Sequence, residues 1–231
     1  MAFSSNSAPT VSVLAVGAHP DDIELGCGAA LLAHRQRGHR VALLVMTTGE
    51  QGPRLSRSRI HEQQDAADIL EAELYWGGFE DGSVPEGRPA IEVVERALQA
   101  TGATVMYTHS SNDTHQDHRA TAVASMAAAR RLTRVLRYEA PTTTTFTPSV
   151  YVDVDGLVEA KLDLIRAHLS QVLKNGLVDL EAVGALARYR GFGARARNAE
   201  AFEAERLMWD LGPVRQDAAD PHDLTASLAP L

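Results

Sequence analysis

The sequence predicts an α/β fold of three layers, a mostly parallel sheet with helices on both faces, and three observations lead there. Short apolar runs rich in β-branched residues recur along the chain, helical patterns stand between them, and the most polar stretches follow two of the runs directly. Strands covered on both faces read as continuous apolar segments, and alternating strands and helices close into right-handed crossovers of an open sheet. The expected architecture is therefore Rossmann-like.

VSVLAVGA at 11–18 predicts the first strand, and GAALLAHRQRG predicts a helix ending at Gly38. RVALLVMTT at 40–48 predicts a second strand; RSRIHEQQDAADILEAE at 57–73 predicts a helix with Ile60, Ala67 and Leu70 on its buried side. PAIEVVERALQA at 89–100 opens with a proline, whose fixed φ suits a first helical turn. TVMYTH at 104–109 and SVYVDVDG at 149–156 predict further strands, and PTTTTFTP at 141–148 reads as a loop. Val158, Leu162, Ile165, Leu169 and Val172, spaced by three and four, predict one long helix with a single apolar face.

A chain of 231 residues fits one domain, expected over 11–211, with a flexible N-terminus at 1–10 and a mobile tail at 212–231. The net charge of −8 argues against nucleic acid or an anionic membrane surface as partner, since both need clustered Lys and Arg. One cysteine, Cys27, excludes an intramolecular disulfide framework and fits a reducing compartment, so a cytoplasmic location is expected. MAFSSNSAP lacks the positive segment of an export signal, and the apolar run after it is too short to span a membrane.

GAHPDDIEL at 17–25 crowds His19, Asp21, Asp22 and Glu24 into six positions. Carboxylates with ordinary pKa values near ~4 repel one another there unless a cation offsets them. HPDD follows one strand and HSSNDTHQDH, at 109–118, follows another, so both fall at carboxyl ends, where open α/β sheets bind ligands. His19, Asp22 and His118 then supply two nitrogens and one oxygen with room for water, the pattern of a catalytic zinc site. Asp21, beside a ligand but not required as one, is the candidate general base. His115 shares a helical side with His118 and is expected near the developing oxyanion as a protonated ring, with Asp117 orienting an imidazole.

Simpler readings exist for each piece. PDD alone is a good helix start, its acids stabilised by N-terminal amides, but that leaves His19 and the second stretch unexplained. His34, His39, His61 and His222 read as surface groups, and Cys27 reads as packing. GCGAAL at 26–31 offers the G-x-G of a nucleotide-binding turn but lacks its third glycine. A non-catalytic metal- or nucleotide-binding module is thus the alternative to an enzyme.

AHPDDIELGCGA together with NDTHQDHRA resembles the PIG-L/LmbE-like family of zinc-dependent de-N-acetylases. The likeness extends to TTGEQG, RIHEQQDAADIL, the DG at 81–82 and YVDVDGLVEAKLDLIRAHLSQ, and covers residues 11 to 210. It implies a hydrolase that takes the N-acetyl group from a small amino sugar of the GlcNAc type or its conjugate. It also implies Zn2+ on His19, Asp22 and His118, with Asp21 as acid/base, His115 as electrostatic partner and Arg59 as a substrate contact. Gln116 stands where the family more usually has proline. Asp113, in the stretch where some members carry a tyrosine, is expected to face substrate beside Arg59. No nucleic acid or membrane partner is expected, and self-association into a homo-oligomer is left open.

Overall fold

The structure, a computed structural model, describes residues 11–52, 58–172 and 178–209. The expected terminal segments 1–10 and 212–231, with His222, lie outside the described residues. In chain order the elements are β1 (Ser12–Gly17), α1 (Asp22–Gln36), β2 (Arg40–Thr47), α2 (Arg59–Ile69), β3 (Glu73–Phe79), α3 (Arg88–Thr101), β4 (Val105–His109), α4 (Gln116–Ala128), β5 (Arg134–Tyr138), β6 (Val150–Asp153), α5 (Val158–Arg166), α6 (Leu169–Val172), α7 (Leu180–Ala194) and β7 (Ala199–Leu207).

The strands form one sheet in the order β3-β2-β1-β4-β5-β7-β6. β1 to β5 pair in parallel, and β7 runs antiparallel between β5 and β6. Alternation along each strand divides the core. Val13 and Ala15 of β1 and Leu43 of β2 pack with Ile23, Leu31 and Leu164 on one face. Leu14, Val16 and Leu44 pack with Val94, Ala97, Ala120 and Ala124 on the other. Helices therefore cover both faces, as the apolar runs predicted. No helix among the described residues is long and apolar enough to cross a membrane.

The structure corrects several details. α2 ends at Ile69, Glu71 turns with φ 49, and β3 begins at Glu73, so the helix stops short of the 57–73 span expected for it. Ile60 is 44% exposed; the buried residues of α2 are Glu62, Gln63, Ala66 and Ala67, two of them polar, which an apolar-periodicity reading passes over. The long helix over 158–172 is broken. At Ala167 and His168 the amides reach back three residues, to Leu164 and Ile165, and the chain turns before α6. His168 is buried there, with Nε2 facing Glu24 Oε2 at 3.3 Å, while Leu169 is 47% exposed. A buried polar contact thus outweighs the apolar stripe.

α1 starts at Asp22, ahead of GAALL, and departs from helical geometry at Cys27 (φ −146, ψ 18). Where the kink interrupts the ladder, the Ala29 and Ala30 amides donate to Glu200 at 3.0 and 2.7 Å. Lys161 Nζ joins Glu200 to the Leu25 carbonyl, 2.6 Å from each. The buried carboxylate meets positive partners on both sides, as a buried charge requires. Gly26 lies under Tyr138, where a Cβ would come within 2.1 Å of the ring. The glycine serves close packing, and the nucleotide-turn reading of GCGAAL loses its support.

His34 is no free surface group. Its Nε2 lies 3.1 Å from the Tyr107 hydroxyl and its Nδ1 lies 2.8 Å from His39 Nδ1. Burial, with the nearby His39 and Arg37 charges adding, holds its pKa down to about 4, against 6.5 ordinarily. Between those values the folded protein binds fewer protons than the unfolded chain, so this contribution to stability is complete above 6.5 and disappears as pH falls toward 4. His34→Gln should flatten the fall in Tm over that window; an unchanged slope would show that the ring titrates as it does in water.

Candidate metal centre and active site

The chain winds outward from β1 through β2 to β3, then returns to the other side of β1 for β4 and β5. The switch point of the sheet therefore lies between β1 and β4, where such sheets bind ligands beyond the strand ends. HPDD leaves β1 and HSSNDTHQDH leaves β4 at this point. The two segments touch: His109 Nε2, at the end of β4, is 3.1 Å from Asp22 Oδ2. A cavity of about 330 Å³ opens over them, lined by His19, Asp21, Asp22, Arg59, His115 and His118 among others.

Asp22 organises the turn. Its Oδ2 accepts from the His19 amide at 2.7 Å, and its two oxygens face the two rings, Oδ2 to His19 Nδ1 and Oδ1 to His118 Nε2, each at 3.3 Å. The other nitrogen of each ring is held from behind by carboxylates. His19 Nε2 lies 3.2 Å from Asp117 Oδ2 and 3.1 Å from Asp81 Oδ1; His118 Nδ1 lies 3.1 Å from Asp113 Oδ2 and 3.3 Å from the Thr142 hydroxyl. The carboxylates are themselves anchored. Asp117 accepts from the Gly82 and Val84 amides, Asp81 from the Gln51 amide, and Asp113 from the His115 amide and the Thr143 hydroxyl.

This is the arrangement that orients metal-binding imidazoles, a carboxylate on the far nitrogen fixing ring and tautomer. Electrostatics agree. Burial opposes a charge on His19, yet Asp117, Asp22 and Asp81 outweigh it and push its pKa up to about 12. His118 rises to about 9 against its own burial, through Asp22 and Asp113. Burial likewise disfavours the Asp22 charge, but His118 and His109 hold that carboxyl well below its usual range. The pocket is built to stabilise positive charge, and two imidazole nitrogens with one carboxylate oxygen fit a divalent transition metal. Among the described residues three overlapping trios bring ligand atoms within 4.8 Å of one another, His19–His115–His118, Asp22–His109–His118 and His19–Asp81–Asp117; Asp22 links the first two by its contacts to His19 and His118, 3.3 Å each.

Asp21 stands apart from this set. It precedes α1 with φ 101, a left-handed conformation that costs a non-glycine residue on the order of 1–3 kcal/mol, and its side chain makes no capping hydrogen bond. Helix capping therefore does not account for it. Burial pushes its pKa up to about 6 against the pull of Arg59. The Arg59 guanidinium lies 3.4 Å from Asp21 Oδ1, donates to the Pro20 carbonyl and reaches the Gly49 carbonyl at 3.3 Å. At Gly49, with φ 64, a Cβ would come within 2.4 Å of that guanidinium.

His115 caps α4. Its Nδ1 accepts from the Asp117 amide at 3.2 Å, so in the neutral ring the proton sits on Nε2. Burial lowers its proton affinity, with His19 and His118 adding, which works against the protonated form expected from the sequence. Arg59 lines the cavity, whereas Asp113 and Asp117 sit one layer behind the imidazoles that they orient. Asp113 is thus placed as a support of His118 and not at the cavity wall. Sequence reasoning assigns no role to His109 or Asp81, although one ends the strand before the second stretch and the other opens the DG pair.

An α/β sheet with a cluster of imidazoles and carboxylates at its switch point is the framework of a metal-dependent enzyme site. A family model described as PIG-L, GlcNAc-PI de-N-acetylase, matches residues 14–129. The chain belongs to this family. It is 35% identical over 178 residues to the protein named uncharacterized deacetylase YaiS of Escherichia coli (strain K12), covering 73% of this chain and 96% of that one. It is 38% identical over 92 residues to a 1D-myo-inositol 2-acetamido-2-deoxy-alpha-D-glucopyranoside deacetylase of Corynebacterium jeikeium (strain K411), covering 40% of this chain and 24% of that one. The crystal structure of the conserved protein TT1542 of Thermus thermophilus superposes with TM-score 0.79 at 26% identity, over 87% of this chain and 98% of that one.

Proposed function

We propose that this chain is a zinc-dependent amide hydrolase that removes the acetyl group from an N-acetylated amino sugar or its conjugate. The observation that carries the reading is the division of labour in HPDD: Asp22 is bound to two imidazoles, while Asp21, next to it, is buried, uncapped and held at the cavity. His19, Asp22 and His118 would hold the ion. Bound there, a divalent cation supplies Lewis acidity toward a carbonyl and makes water a better acid.

The remaining steps belong to the chain. Asp21 takes the proton from the attacking water and returns it to the amine nitrogen as the C–N bond breaks. His115 donates from Nε2 to the carbonyl oxygen as negative charge develops, a contact worth most in the transition state. Arg59 contributes to the wall that receives the sugar. Asp117 and Asp81 hold His19, and Asp113 holds His118, so the rings need not reorganise during reaction. The acetamido-sugar substrate of the Corynebacterium relative and the GlcNAc description of the family support the substrate class.

A panel of N-acetylglucosaminides should yield acetate and free amine. His115→Ala should lower kcat on the order of 10²-fold with a smaller change in KM and intact metal content. Unchanged kcat in that variant would remove His115 from the mechanism.

A further inference from the structure

Asp21 is aimed by a strained backbone, and something must hold that strain. The Pro20–Asp21 peptide is gripped at both polar ends from α2: Arg59 Nη2 donates to the Pro20 carbonyl, and Gln63 Oε1 accepts from the Asp21 amide at 3.3 Å. Residues 59 and 63 stand one helical turn apart and so share a face. A planar peptide held at both its oxygen and its nitrogen cannot swing about its flanking bonds, and that swing is what would relax φ 101 at Asp21.

The grip has its own anchor. Gln63 Nε2 donates to Glu24 Oε1 at 2.7 Å, which leaves the amide oxygen for Asp21. Glu24 Oε2 in turn faces His168 Nε2 at 3.3 Å, and Glu24, Gln63 and His168 are all fully buried. The break between α5 and α6 therefore delivers a partner to this line of side chains. We infer that Gln63 is a positioning residue, holding with Arg59 the Pro20–Asp21 peptide from which the Asp21 carboxylate is aimed into the cavity. The inference rests on the proposed role of Asp21 as general base.

The test compares full-length, zinc-loaded Gln63→Met with wild type. Amide hydrogen exchange at Asp21 reads the grip directly, without activity. It should accelerate on the order of 10-fold or more as the acceptor is lost. Zinc per chain should stay the same, while kcat falls on the order of 10-fold or more and KM changes less than about 2-fold, as expected for a misaimed catalytic group. A merely structural glutamine would lower Tm and leave kcat per bound zinc unchanged. That result, or unaltered Asp21 exchange, overturns the inference. If Gln63→Met does not fold, Gln63→Asn replaces it, since its amide is one methylene too short to span Asp21 and Glu24, and the same outcomes decide. Should wild type release no acetate from any N-acetylated sugar, the proposed function fails, and the exchange measurement still decides whether Gln63 holds the peptide.

Discussion

Asp21→Asn should retain its metal and lose most of its turnover, on the order of 10²-fold or more for removal of a general base. The substitution is nearly isosteric, and asparagine tolerates the left-handed backbone that Asp21 adopts at φ 101. No capping hydrogen bond is lost, because the Asp21 side chain makes none. The 3.4 Å contact to Arg59 loses its charge, but the guanidinium keeps the Pro20 and Gly49 carbonyls, so any fall in Tm should be modest and the loss of turnover should exceed it. Elemental analysis and kcat on the same sample make the comparison. Turnover near wild type would assign the proton transfer elsewhere.

Replacing His19 or His118 by alanine should abolish metal binding, which in the wild type should approach about one ion per chain. Each change also removes the partner of buried carboxylates: Asp117 and Asp81 lose His19, and Asp113 loses His118. An unpaired buried charge costs on the order of 3–5 kcal/mol, so a drop in Tm should accompany the loss of metal. Asp21→Asn should keep its metal and lose less Tm than either, because Arg59 retains its two carbonyl partners. Full metal content in either histidine variant would contradict the ligand assignment.

The strands that the sequence displays are β1, β2 and β4 inside the sheet and β6 at its edge, whereas interior β5, with Arg134 and Arg137 among its five residues, does not show. β1, β2 and β4 sit in the middle of the sheet and read as unbroken apolar runs. β3 carries Gly77 and Gly78 at the sheet edge, and β7 interleaves Glu200, Glu203 and Glu205 with apolar residues, so neither announces itself. The polar face of α2 is hidden for a related reason: Gln63 and Glu62 are buried because they bond to other elements, Glu62 to Ser170 across 108 positions.

Much of the candidate site is legible because its two motifs follow adjacent strands, which fixes where they meet. His19, Asp21, Asp22, His115 and His118 do line one cavity. What a motif cannot display is which atom faces which. Asp113, expected at substrate, spends its carboxylate on His118, Thr143 and the His115 amide. Asp81 reaches His19 from the loop after β3, and nothing in its own neighbourhood points to a histidine 62 positions away.

Stripping and reloading the ion while measuring acetate and free amine from one N-acetylglucosaminide shows whether a metal held by this cluster acts on an acetamide. Chelation should abolish release, zinc should restore it, and acetate and amine should appear in equal amounts. Release that persists in the stripped protein, or a zinc-loaded protein that frees no acetate from any N-acetylated sugar, would contradict that role for the metal.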